Sequence, residues 1–351
     1  MKAMGNQVEK NPGASPPRPR PRVAITLGDV AGIGPELVVK GWSNAELHDL
    51  CTPTVIGDPE FLRRAASDLG TPCDVVEIRE VGLADPSSGV IPCLRASTTR
   101  LDHVTPGKCD AHAGRAAYDY LVQGIDLALA GRVDAIVTMP LNKEGLHSAG
   151  LNYPGHTEIL AERTGTSRYG MMLYRRGLGV VHVTLHMALR DIFRAISIPA
   201  IEEKIQLIDR MLRRLGVDRP RLAVAALNPH AGDGGIFGDE EATLIAPAVD
   251  RARAEGLEVV GPLPADTLFV RAREGAFDGV VAMYHDQGHI ALKLLGWREA
   301  VNITVGLPIV RTSVAHGTGY DIVGKGIADP TSFFEATRVA VQLASSAAGT
   351  P

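Results

Sequence analysis

Three of the chain's 11 histidines, His186, His230 and His285, each follow an apolar run and stand where a strand would end. Neutral imidazoles suit borderline divalent cations, and three of them leave a coordination position open for chemistry. Taken singly, each is as well explained by a hydrogen-bonded core or surface role. Asp286 adjoins His285, and Asp266 lies in Pro264-Ala265-Asp266-Thr267, so two carboxylates are available to orient a ligand or to act as general base; Asp266 also suits a helix cap. Lys293, Asn302 and Arg311 flank the apolar segment Val301–Val310 and offer a fork of donors that matches phosphate or carboxylate oxygens.

The elements that must position these groups are short, bounded apolar runs: Arg22–Leu27, Asp134–Thr138, Leu178–Leu185, Arg221–Leu227 and Asp278–Met283. They alternate with helical patterns. Tyr118, Leu121, Ile125 and Leu129 fall on one helical face, as do Ile201, Ile205, Ile208, Leu212 and Leu215. That order predicts an α/β fold with a parallel sheet and crossover helices. Each strand is followed by polar, ligand-capable residues: Gly28-Asp29, Pro140-Leu141-Asn142-Lys143, His186, Asn228-Pro229-His230 and Tyr284-His285-Asp286. In open α/β sheets the binding crevice lies outside the strands' carboxyl ends, so these segments are predicted to converge there.

Several familiar chemistries are excluded. The glycines of Gly28–Gly34 and Gly232–Gly238 miss the GxGxxG spacing of a Rossmann dinucleotide site. The former reads instead as a strand-to-helix turn with Pro35 in the first helical turn. Gly319–Gly326 resembles a P-loop but ends in glycine where a magnesium-binding Ser or Thr is required. The pairs His182/His186 and His285/His289 lack the glutamate of HExxH.

A net charge of -4 argues against a nucleic-acid partner, and no run is long and apolar enough to predict a membrane span or signal core, so a cytoplasmic protein is expected. Cys51, Cys73, Cys93 and Cys109 lack a CxxC pair and read as reduced thiols. Residues 1–21, ending in a Pro/Arg-rich run, read as a disordered tail.

The chain resembles the 4-hydroxythreonine-4-phosphate dehydrogenase family and its catabolic paralogues. The resemblance rests on Ile25–Glu36, Pro154-Gly155-His156-Thr157-Glu158, Asn228–Gly232, Tyr284–Gly288, Asn302–Pro308, Arg311-Thr312-Ser313 and His316-Gly317-Thr318. It implies two α/β/α domains with a cleft between them, like isocitrate and isopropylmalate dehydrogenases: residues 22–145 with 315–348, and 146–314 carrying metal and dimer contacts. It implies a homodimer with the active site near the interface, and NAD or NADP bound without a Rossmann domain, at residues the sequence leaves unassigned. It further implies His186, His230 and His285 as ligands of one divalent metal (zinc, cobalt, nickel or similar), one of them supplied across the dimer. His156, Thr157, Lys293, Asn302 and Arg311 would hold a small anionic substrate, with Asp266, Asp286 and Lys293 at the reacting centre. The expected reaction is oxidation of a hydroxyl β to a carboxylate, then decarboxylation, on 4-hydroxythreonine-4-phosphate or 4-phospho-D-threonate or -erythronate. Two alternatives are a terephthalate 1,2-cis-dihydrodiol dehydrogenase and a non-catalytic anion-binding module. Gly107–Gly114, Met139–Glu144 and His289–Lys293 look more like the catabolic paralogues.

Overall fold

A computed structural model describes residues 20–347. The tail expected over residues 1–21 lies almost wholly outside them. Twelve strands form a single sheet: β1 (Arg22–Thr26), β2 (Thr52–Gly57), β3 (Asp74–Ile78), β4 (Val90–Arg95), β5 (Ala135–Thr138), β6 (Gly170–Arg175), β7 (Leu178–His182), β8 (Leu222–Ala225), β9 (Val259–Leu263), β10 (Gly279–Ala282), β11 (Val301–Val305) and β12 (Arg311–Val314). Their order across the sheet is β3-β4-β2-β1-β5-β12-β11-β6-β7-β10-β8-β9. Every residue of β5, β7, β8, β10 and β12 is buried, as expected of strands covered by helices on both faces.

The parallel sheet expected from the sequence is corrected to a mixed one. β6 runs antiparallel to β7 and β11, and β11 antiparallel to β12. A two-residue turn, Arg176-Gly177, closes the β6–β7 hairpin with Gly177 at φ 84°. β6 escapes sequence reading because Gly-Met-Met-Leu-Tyr-Arg carries no β-branched residue. The strand expected over Leu178–Leu185 ends at His182, beyond which the chain bends toward His186.

The helix Ile198–Arg214 buries Ile201, Ile205, Ile208 and Leu212, as its periodicity requires. In the helix Ala111–Leu129, Leu121 and Ile125 are buried but Leu129 is exposed at the last turn. One device fixes register in both halves of the sheet. Arg22 forks onto Asp134 across β1 and β5, and Arg221 forks onto Asp278 across β8 and β10, each also donating its backbone N–H to the same carboxylate. The turn after β1 needs glycine: Gly28 has φ 67°, and a Cβ there would sit 2.3 Å from the Pro140 carbonyl oxygen.

Candidate active site

The carboxyl ends of the central strands open on a cavity of about 230 Å³. Four of the five residues assigned to substrate, His156, Thr157, Asn302 and Arg311, line it together with His186. Arg311 is the first residue of β12 and only 2% exposed. Its two terminal nitrogens donate to Thr304 Oγ1 (2.9 Å) and Thr138 Oγ1 (2.7 Å), so hydroxyls from β11 and β5 aim the guanidinium. Among the described residues no carboxylate pairs with it within salt-bridge distance; burial pushes its pKa down to about 9 against the opposing pull of Glu158, which leaves it cationic at neutral pH.

Three buried polar atoms in this cavity wall have no partner among the described residues: Arg311 Nε, Asn302 Oδ1 and Glu158 Oε2. Such atoms are costly unless a ligand satisfies them. The set comprises one cationic donor and two acceptors. His156, at the start of the helix His156–Arg163, is held neutral, first by desolvation and then by the charge of Arg311.

The histidine end is arranged differently. His285 opens the helix His285–Gly296 and lies beside His186, with ring centroids 5.8 Å apart. Its Nδ1 contacts Asp286 Oδ1 at 2.6 Å, which leaves Nε2 to face outward. His186 is shifted toward the neutral form by desolvation and then by Lys143. Gln287 ties the strand ends together, accepting from Met283 N (2.7 Å) and donating to the Ala226 carbonyl (2.7 Å).

His230 does not join that pair. Its ring neighbours Phe237 at 6.4 Å, and among the described residues the three-member group with metal-competent atoms within 4.8 Å of one another is His103, Asp110 and His112, not the expected trio. His230 begins a run of left-handed residues, His230, Ala231, Gly232, Asp233 and Gly234, with φ between 44° and 78°. Non-glycine residues in that region are strained by roughly 1–2 kcal/mol each, so something must hold the loop. Buried Glu241 does part of this, accepting from Leu227 N (2.8 Å) and Asn228 N (2.7 Å) at the end of β8.

Asp266 is exposed in the first turn of the helix Ala265–Arg273 and accepts from Thr267 N, while the cap position belongs to Pro264. Asp286 and Lys293 are exposed on the helix that carries His285. Lys293 lies outside the cavity lining but close enough to His289 and His316 to disfavour their protonation.

Sequence reading gave no role to Glu158, His182 or His289. His289 Nδ1 meets His182 Nε2 at 3.1 Å, and its ring stacks on His285 at 3.7 Å. Burial, then the neighbouring His285 and Lys293, push His289 down to about 4. The i, i+4 spacing of His285 and His289 was the available signal, since it puts both on one helix face.

Two solved structures of similar build, at 30% identity or more, are dehydrogenases. A 4-hydroxythreonine-4-phosphate dehydrogenase from Klebsiella pneumoniae superposes with a TM-score of 0.82 at 45% identity, over 92% of this chain and 99% of that one. A terephthalate 1,2-cis-dihydrodiol dehydrogenase from Burkholderia xenovorans does so with 0.62 at 30% identity, over 92% and 98%. A D-threonate 4-phosphate dehydrogenase from Cupriavidus necator is 47% identical over 92% of this chain and 97% of its own length. The chain is a mixed α/β dehydrogenase. It belongs to the family described as pyridoxal phosphate biosynthetic protein PdxA, whose match spans residues 49–340.

Proposed function

We propose that this enzyme oxidises a small phosphorylated hydroxy acid of the 4-phospho-D-threonate class, with NAD or NADP as acceptor and one divalent metal bound. The observation that carries the reading is the unpartnered set in the cavity wall. Arg311 Nε, on a buried cationic guanidinium, lacks an acceptor, a place an anion suits, whereas Asn302 Oδ1 and Glu158 Oε2 lack donors. A phosphorylated molecule bearing hydroxyl groups satisfies all three. The similar proteins from Cupriavidus and Klebsiella, named for phosphorylated threonine-like substrates, support the same class.

In this reading Arg311, His156, Thr157, Asn302 and Lys293 hold the substrate. His186, His285 and His230 hold the metal. The donor chemistry fits zinc, cobalt or nickel, since the rings are imidazoles and Asp286 fixes the tautomer of His285. When bound, the metal supplies Lewis acidity at the substrate hydroxyl and the nicotinamide supplies the hydride acceptor. Asp286 is already engaged with His285, so Asp266 and Lys293 are left for proton transfer. The hydroxyl proton passes to one of them as the carbinol hydrogen departs with its electron pair. Loss of carbon dioxide from the resulting β-keto acid leaves a negative charge that the Lys293 ammonium is suited to meet.

We further infer a homodimer in which His230 comes from the second copy. Its separation from the His186–His285 pair supports this. So do exposed apolar side chains on the segments that carry the histidines: Met187, Leu189 and Phe193 after His186, Phe237 beside the His230 ring, and Leu294 and Trp297 on or just past the helix that His285 opens. The two halves of the sheet, residues 22–145 with 315–348 and residues 146–314, are read as two α/β/α domains flanking the cleft. Free thiols at all four cysteines favour a cytoplasmic setting. No helix among the described residues is long and apolar enough to cross a membrane.

The test is nicotinamide reduction by the full-length chain with 4-phospho-D-threonate. Activity is expected to vanish on chelation, to return with added divalent metal, and to fall at least about 100-fold in His285→Ala. Full activity after complete metal removal would refute the metal-dependent reading.

A further inference from the structure

The geometry points to a second divalent-cation site, outside the cavity and built from His103, Asp110 and His112 at the start of the helix Ala111–Leu129. The metal-competent atoms of the three residues lie within 4.8 Å of one another. His103 Nε2 and His112 Nδ1 are 3.0 Å apart, and His112 Nδ1 and Asp110 Oδ1 3.4 Å apart. Around a tetrahedral zinc, with ligands at about 2.0–2.2 Å, neighbouring donor atoms are separated by roughly 3.3–3.5 Å. The His103–His112 and His112–Asp110 spacings are therefore close to two edges of a coordination tetrahedron, and the third pair lies within 4.8 Å.

The rings cross at 87°, so the contact brings nitrogens together rather than stacking faces. Two nearly rigid pieces hold the donors. Asp110 caps the helix by accepting from His112 N (2.7 Å) and Ala113 N (3.1 Å), which locks the carboxylate and His112 into one turn. His103 comes from a separate turn closed by Val104 N to the Leu101 carbonyl (3.0 Å).

Charge decides whether a cation is tolerated there, because a helix N-terminus repels one. Asp110 is the offsetting charge within the site, and exposed Asp102 lies next to His103. The nearby cations Arg100 and Arg115 are engaged with Asp102 and Asp119. His112 is 56% exposed in its side chain, so a cation can enter and keep water at the open position. Two imidazoles and a carboxylate favour zinc, cobalt or nickel over magnesium or calcium. None of the three residues lines the cavity.

The consequence is mechanical. The loop that carries His103 also donates Gly107 N–H to the Ala31 carbonyl (2.7 Å), in the turn that holds Asp29. A bound cation ties that loop to the helix. With no cation, the two rings are joined by one hydrogen bond and an edge-to-face contact.

The experiment counts zinc on the untagged full-length chain, stripped with chelator and then dialysed against zinc. Wild type is compared with His103→Ala/His112→Ala, and the same pair of substitutions is repeated in a His186→Ala/His285→Ala background. One fewer zinc per chain is expected whenever His103 and His112 are replaced, in either background. Should the cavity metal prove absent, wild type binds one zinc and His103→Ala/His112→Ala none, so the two readings fail separately. Equal zinc counts with and without His103 and His112 overturn the site. Unchanged melting curves in zinc-free buffer establish that the variant folds.

Discussion

The two ends of the cavity are built on opposite principles. At the anion end, Arg311 is buried, gripped by two threonine hydroxyls, and short of a counter-charge. At the histidine end, His285 and Asp286 are 36% and 69% exposed in their side chains and lie beside apolar surface that water covers poorly. The fold of one chain closes around Arg311 but leaves His285 and Asp286 open to solvent. In the proposed reading the difference teaches that specificity and reactivity are separable: a single copy would recognise the anion, and a second copy over the helix His285–Gly296 would complete the reacting centre.

The sharpest way to break that contrast is to charge the covering surface. Leu294, 82% exposed, sits one residue past Lys293 on that helix. Leu294→Asp is expected to give a folded monomer by sedimentation, with turnover down roughly 100-fold. Inorganic phosphate should bind to it as tightly as to wild type. A monomer with full turnover would show that the histidine end is complete in one chain.

A smaller effect sharpens the anion end. His156 is kept neutral in the fold, its pKa lowered by desolvation and then by Arg311. The unfolded ring titrates near 6.5, so below about pH 6.5 the unfolded state takes up protons first. Stability therefore falls as pH drops from about 6.5 toward the lowered folded value, by at most about 1.4 kcal/mol per pH unit for this one ring. His156→Gln removes that share, and its melting temperature should decline less steeply between pH 7 and pH 5. Identical slopes would mean that His156 is not held neutral.

Much of this was legible in the residues. The five strands read from the sequence are all present, because buried parallel strands announce themselves as short β-branched runs between turn residues. The antiparallel β6 was not legible, since its burial comes from neighbours on both sides rather than from its own composition. His156, Thr157, Asn302 and Arg311 were found through their motifs, and they share a cavity. Glu158 stood in the same motif as His156 but gained no role, because its unpartnered oxygen is visible only once β12 has brought Arg311 opposite. His230 illustrates the converse limit: it follows β8 as the sequence predicts, yet within one chain its ring neighbours Phe237 rather than His186 or His285.

What Arg311 binds is the most direct test of the proposed substrate class. Specificity constants for 4-phospho-D-threonate and for D-threonate should be measured in wild type and in Arg311→Met. Methionine keeps the length and apolar stem of Arg311 while removing its charge, and a melting curve checks that the variant folds, since Thr138 and Thr304 each lose a donor. Wild type is expected to prefer the phosphorylated substrate strongly, and Arg311→Met to erase about 2–5 kcal/mol of that preference, the scale of a buried charge pair. A variant that slows both substrates equally and keeps the wild-type preference would contradict the claim that Arg311 reads the phosphate.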